Sequence, residues 1–105
     1  MRTFSHVGIP TTSVHPNEKH NESGGFYVTD FSESTSRVEW LRCEEQCGLP
    51  EILQKTAHVA FVVEDLDKAM EGAEVLLDPM MPSKELKIAF IIEDGAPVEL
   101  MQYLN

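Results

Sequence analysis

His58-Val59-Ala60-Phe61-Val62-Val63-Glu64-Asp65-Leu66-Asp67-Lys68-Ala69-Met70-Glu71-Gly72 is the stretch that decides the fold of this 105-residue chain. The run from His58 to Val63 is dense in β-branched and aromatic residues and predicts a strand. The acidic run after it predicts a short helix. Asp65 can cap the first N–H groups, Glu64, Asp65 and Asp67 are favourable charges at a helix start, and Gly72 can end the turn. Downstream, Ala73 to Leu77 predicts a short strand that Asp78-Pro79-Met80-Met81-Pro82-Ser83 should break. Lys87 to Glu93 and Pro97 to Tyr103 predict two more strands, joined by Asp94-Gly95-Ala96, the strongest hairpin signal in the chain. The order is β-α-β-β-β.

The first half repeats part of this unit. Phe4 to Ile9, Phe26 to Asp30 and Val38 to Cys43 read as strands, the last two joined by the polar turn Ser32-Glu33-Ser34-Thr35-Ser36. Between Pro10 and Gly25 there is no helical periodicity, so Thr11 to Gly24 is expected to be a long loop, and this module to lack the helix and one strand. Glu51 to Lys55, introduced by Leu49-Pro50, predicts a single connecting helical turn. Aligning the halves sets His6-Val7-Gly8-Ile9 on His58-Val59-Ala60-Phe61 and Val38-Glu39-Trp40-Leu41 on Val98-Glu99-Leu100-Met101. Two short matches in the same order and on strands argue for a duplicated unit. We therefore expect one domain of two modules, about residues 1–49 and about 56–105.

Alternation along a strand places residues two apart on one face. Val98, Leu100 and Leu104 should share a side, against helices, with Glu99, Met101 and Tyr103 opposite. Val38 and Trp40 share a side, leaving Glu39, Leu41 and Cys43 opposite. His6 and His58 point away from the bulky Val7/Ile9 and Val59/Phe61/Val63 faces, and the residues beside them, Gly8 and Ala60, are small enough to leave room for a metal and a ligand. Any one of these side chains alone would read as an ordinary strand residue. Together, His6, Glu39, His58 and Glu99 offer two imidazoles and two carboxylates, a donor set that nickel, zinc, cobalt, manganese and iron all accept.

Composition narrows the partners. A formal charge of -10, from 18 acidic and 8 basic side chains, disfavours nucleic acid and anionic membranes. No apolar run approaches the ~20 residues of a membrane span, and Met1 to His6 runs into a strand pattern with no signal-peptide core, so a cytoplasmic protein is expected. Cys43 and Cys47 have neither redox-pair nor zinc-knuckle spacing, and reduced thiols are expected. His15, His20 and the Glu44-Glu45 pair are expected to be solvated.

These residues resemble the vicinal oxygen chelate superfamily, which includes glyoxalase I, bleomycin-resistance proteins, extradiol dioxygenases and methylmalonyl-CoA epimerase. The resemblance spans nearly the whole chain and is strongest over His58 to Ala69 and Val98 to Met101. It implies an α+β fold of paired βαβββ modules in a curved mixed sheet, the first module abbreviated, forming a cup around a metal. It also implies a homodimer. His6, Glu39, His58 and Glu99 match, in order, the four ligand positions of the bacterial glyoxalase I pattern. A dioxygenase-like iron site would use His6, His58 and Glu99 and leave Glu39 spare. The implied activity is that of a metal-dependent, glyoxalase-like lyase or isomerase acting on a small vicinal-oxygen substrate through an enediolate-like intermediate, with Glu99 first, and Glu39 second, moving the proton. Glutathione conjugates are disfavoured, because Arg42 falls on the Val38/Trp40 side and Arg37 precedes the strand. The alternative is a non-catalytic sequestering protein of the bleomycin-resistance type, with Tyr103, Met101, Tyr27 and Trp40 as stacking surface. A third is a dimerisation domain with vestigial ligands.

Overall fold

The computed structural model describes residues 1–104. Along them run β1 (Thr3–Pro10), β2 (Lys19–Asn21), β3 (Phe26–Val28), β4 (Val38–Cys43), α1 (Glu51–Lys55), β5 (His58–Val62), α2 (Leu66–Ala69), β6 (Glu74–Ser83), β7 (Leu86–Glu93) and β8 (Ala96–Tyr103), with a 3-10 turn at Phe31–Glu33. The class is α+β with mixed strand pairing, as the sequence predicts. β1/β4 and β5/β8 are parallel, while β2/β3, β3/β4, β6/β7 and β7/β8 are antiparallel. The chain divides into two compact units, one of Met1–Ser5 with the chain from His58 onward, the other His6–Ala57.

In the C-terminal unit the strand order is β5-β8-β7-β6. The Asp65 side chain accepts from the Lys68 N–H at 3.1 Å, the expected cap. Gln102 Oε1 accepts from the Leu66 N–H at 2.8 Å, so β8 also holds the helix start. Val63, Leu66, Ala89, Ile91, Val98 and Leu100 form the buried core, with Val59 and Phe61 packed on it. These are alternate strand positions, and they bury one face against α2. Asp94 and Gly95 take φ of 54° and 78° between the paired residues Glu93 and Ala96, which is the backbone of a two-residue hairpin turn.

One expectation is corrected here. Pro79 and Pro82 do not break the strand: β6 continues to Ser83. β6 is the last strand in the order, where a missing N–H can face away from the ladder, and two register shifts along β6/β7, between Leu77 and Met80 and between Met80 and Ser83, fall at the prolines.

In the N-terminal unit the order is β2-β3-β4-β1. The module has no helix between β1 and β3, as expected, but its fourth strand is present: β2 pairs antiparallel with β3 inside the stretch read as loop. The polar turn before β4 likewise begins as the 3-10 turn, capped by Asp30, whose side chain accepts from the Ser32 N–H. Gly25 has φ of 74°, and a Cβ there would sit 2.7 Å from the Gln46 carbonyl, so only glycine fits where the Cys43–Gly48 turn returns. That turn corrects the thiol expectation. Its backbone bonds, Glu44 N–H to Gly25 O and Gly48 N–H to Gly24 O, bring the Cys43 and Cys47 Cα atoms to 5.4 Å, and the two are joined as a disulfide. α1 lies against β4, and Leu53 of α1 and Leu41 of β4 are both buried.

Candidate metal centre

Each histidine lies beside a carboxylate for the same reason of register. In the N-terminal unit, β1 and β4 run parallel with Gly8 opposite Glu39. Residues paired across strands share a face, so His6, two before Gly8, points to the side that carries Glu39. His6 is 1% exposed, and its Nε2 lies 3.9 Å from Glu39 Oε2; the Glu39 side chain remains 21% exposed. The Phe31 ring stacks on the imidazole at 4.1 Å between centroids and 10° between planes, and the Arg37 guanidinium lies over the Phe31 ring at 5.0 Å. Arg37 itself has φ of 56°, and its carbonyl accepts from the Val7 N–H at 3.0 Å. This non-glycine backbone is strained by roughly 1–3 kcal/mol, held by that tie to β1.

The C-terminal unit repeats the arrangement. β5 and β8 run parallel with Ala60 opposite Glu99, the position that matches Gly8 and Glu39. His58 is 3% exposed, and its Nε2 lies 3.2 Å from Glu99 Oε1, which is also buried. Phe90, paired with Glu99 across β7/β8, meets the imidazole edge-on at 5.1 Å and 83°.

Each unit thus sets one imidazole beside one carboxylate, His6 with Glu39 and His58 with Glu99. The donors fit a divalent cation chemically. Neutral imidazole and carboxylate suit first-row transition metals.

Several residues named from the sequence lie elsewhere. Tyr27 pairs with Arg42, so both stand on the Trp40 side of β4, opposite Glu39, and neither Tyr27 nor Trp40 belongs to the face of the candidate site. His15 and His20 are not merely solvated. His15 stacks on Trp40 at 4.5 Å, and His20 stacks on Tyr27 at 4.3 Å with its Nε2 3.0 Å from Glu44 Oε1. Arg42 donates to both carboxylate oxygens of Glu18, at 2.9 and 2.7 Å, and lies over Tyr27 at 4.1 Å. The stretch from Thr11 to Gly24 is therefore pinned to the face away from Glu39. Phe31 and Phe90 are the residues that sequence reasoning missed. Phe31 was hidden among serines and glutamates, and only strand register singles out Phe90. A cleft of about 550 Å³ in the C-terminal unit, between Met1, Arg2 and the start of α2, contains none of the four site residues.

The Glu18 carboxyl is held below its ordinary value, first by the Arg42 hydrogen bond, against the opposing effect of burial. A depressed carboxyl stabilises the folded state above its ordinary value and loses that contribution as pH falls through the folded value. Proteolytic nicking at Lys19 should thus rise as the pH drops below the usual carboxylate range. Glu18→Gln should nick readily at every pH; a pH profile like that of the parent chain would refute the tie.

No protein-family model and no curated protein matches the chain. Among solved structures, a hypothetical protein from Bacillus halodurans superposes with a TM-score of 0.71 at 13% identity, covering 99% of this chain and 96% of that one. Methylmalonyl-CoA epimerase from Mycobacterium tuberculosis superposes with a TM-score of 0.68 at 18% identity, covering 98% and 89%. That enzyme belongs to the vicinal oxygen chelate superfamily, and the likeness establishes that fold for this chain. No helix among the described residues is long and apolar enough to cross a membrane.

Proposed function

We propose that this chain is a metal-dependent, glyoxalase-like enzyme of the lyase or isomerase type, in which His6, Glu39, His58 and Glu99 together hold one divalent cation. The observation that carries the reading is the repeated register: in both units a buried histidine lies two residues before a small residue that faces a glutamate across a parallel strand pair. A structural ion pair needs no such repetition, whereas a ligand set built from a duplicated unit does. The fold shared with an epimerase agrees with it. The cation, nickel, zinc, cobalt, manganese or iron, would act as a Lewis acid on a substrate with neighbouring oxygens.

The chain's own groups divide the remaining work. Glu99, buried beside His58, sits where a base is shielded from water; Glu39, 21% exposed at its side chain, keeps the solvent access needed to return a proton. Phe31 and Phe90 fix the planes of the two imidazoles. Substrate scope, a homodimer and a cytoplasmic setting belong to the same proposal. In a reducing compartment Cys43 and Cys47 would work as thiols and the disulfide would be their oxidised form.

Hydroxyacetone in D2O tests the reading. Metal-loaded protein should accelerate exchange of its carbon-bound protons by roughly 100-fold or more over buffer containing the metal alone, and a chelator, or Glu99→Gln, should abolish the gain. No acceleration would refute the enzyme. Hydroxyacetone binding that survives the chelator would favour a sequestering protein, for which the exposed Tyr103 beside Met101 speaks.

A further inference from the structure

The face of the C-terminal unit that carries His58 and Glu99 is apolar through its middle, with Glu74 and Ser83 of β6 at its two ends, and strand register shows how far. Directly beside the row of Ala60, Glu99 and Phe90 runs a second row, Val62, Met101, Ile88 and Met80, read straight across β5, β8, β7 and β6. Tyr103 pairs with Leu86 one row further on. Access is graded along this surface: Met101 is buried, Val62, Ile88 and Leu86 are half-buried, and Met80 and Tyr103 are 47% and 51% exposed. A sheet face turned simply to water would carry polar residues at these alternate positions.

Arg2, Lys68 and Lys87 stand on the core side of this unit, away from that surface. Arg2 is held by both carboxylate oxygens of Glu93 and lies over Phe61, on the core side. Lys87 pairs in register with Gln102, which bonds α2, and its Nζ meets Asp67 at 3.3 Å, again on the core side. Lys68 is in α2, while Lys84 lies in the turn between β6 and β7, next to the Leu86–Tyr103 end and two rows from Glu99. An anionic ligand body laid along the Met101 row would meet the charge of Glu99 and no opposite charge from the row itself.

We propose that the row from Met101 through Ile88 to Met80, flanked by Tyr103, is the specificity surface of the site, and that its ligand is an uncharged small molecule: two neighbouring oxygens attached to a flat or branched apolar body. The oxygens lie at the His58–Glu99 end and the body along the row. The oxygen end rests on the metal-centre reading above; the apolar body does not.

Acetohydroxamate and benzohydroxamate separate the two, because they present the same neighbouring oxygens on a methyl or a phenyl body. Calorimetric titration of the full chain, nickel-loaded and metal-free, should give benzohydroxamate at least about tenfold the affinity of acetohydroxamate. With methionine methyls labelled with carbon-13, the phenyl ring should shift the Met80 resonance and leave that of Met70, which packs on the core beside α2, in place. Met80→Gln, at an exposed position, and Ile88→Thr should each shrink the phenyl preference. Equal affinities, or a Met80 resonance unmoved by bound benzohydroxamate, would overturn the proposal. If nickel fails to bind, the metal reading falls by itself, and the Met80 shift in metal-free protein still decides this one.

Discussion

His58→Ala should lower the affinity for a divalent cation by more than about 100-fold, and His6→Ala by a similar factor. Loss of a group that merely orients a metal ligand weakens affinity 10- to 100-fold, so loss of a ligand should exceed that range. The equivalence of the two variants follows from the duplicated register, Gly8 with Glu39 and Ala60 with Glu99. Metal content after dialysis against a weak chelator, with competitive titration, checks both. A second reading predicts the opposite pattern. If His58 and Glu99 are only a structural pair, removing the imidazole strands a buried carboxylate and destabilises the chain by roughly 3–5 kcal/mol while metal content stays as in the parent. Unchanged metal content in folded His58→Ala protein would therefore end the metal reading, and a large drop in stability with it would identify the pair as structural.

The parts of the fold legible in the sequence are those where two local signals agree. Asp94-Gly95 between two apolar runs admits one turn geometry, and the hairpin forms there with Glu93 facing Ala96. Asp65 before Leu66 offers a cap and a buried helical residue together. The sides taken by Glu39 and Glu99 within their own strands were readable because alternation has a strict period of two, whereas the parallel pairing that sets them opposite Gly8 and Ala60 was not. What sequence could not supply was decided by distant partners. Lys19-His20-Asn21 has no apolar alternation, and is a strand because Phe26 to Val28 lies alongside with unpaired backbone. Pro79 and Pro82 are breakers in isolation but tolerable on the strand that ends the sheet order. His15 and His20 looked like solvent-facing residues because the aromatic rings they cover, Trp40 and Tyr27, are far along the chain. The Cys43–Cys47 bond depends on a turn whose geometry is set by Gly24 and Gly25.

Leu100→Ala should show the other side of the same alternation. Leu100 is fully buried between Phe61 and Ala89 in register, inside the core that covers α2, whereas its neighbour Glu99 faces His58. Truncating a leucine in such a core costs about 2–5 kcal/mol, from lost burial and the cavity left behind. Against a total stability of about 5–15 kcal/mol, that is a large fraction, and urea denaturation should show a midpoint well below that of the parent chain. Yet the cavity opens on the far side of β8 from the proposed ligands, so Leu100→Ala protein kept folded at low temperature should still take up the cation at parent stoichiometry. Glu99→Gln should do the reverse, since the amide keeps the shape of the carboxylate but not its charge: weaker metal uptake with a smaller change in midpoint. Two adjacent residues with exchanged phenotypes would be hard to obtain from any strand orientation other than the one described. A Leu100→Ala chain that loses less than about 1 kcal/mol, or that loses its metal while still folded, would show that the two faces of β8 do not divide stability from chemistry in this way.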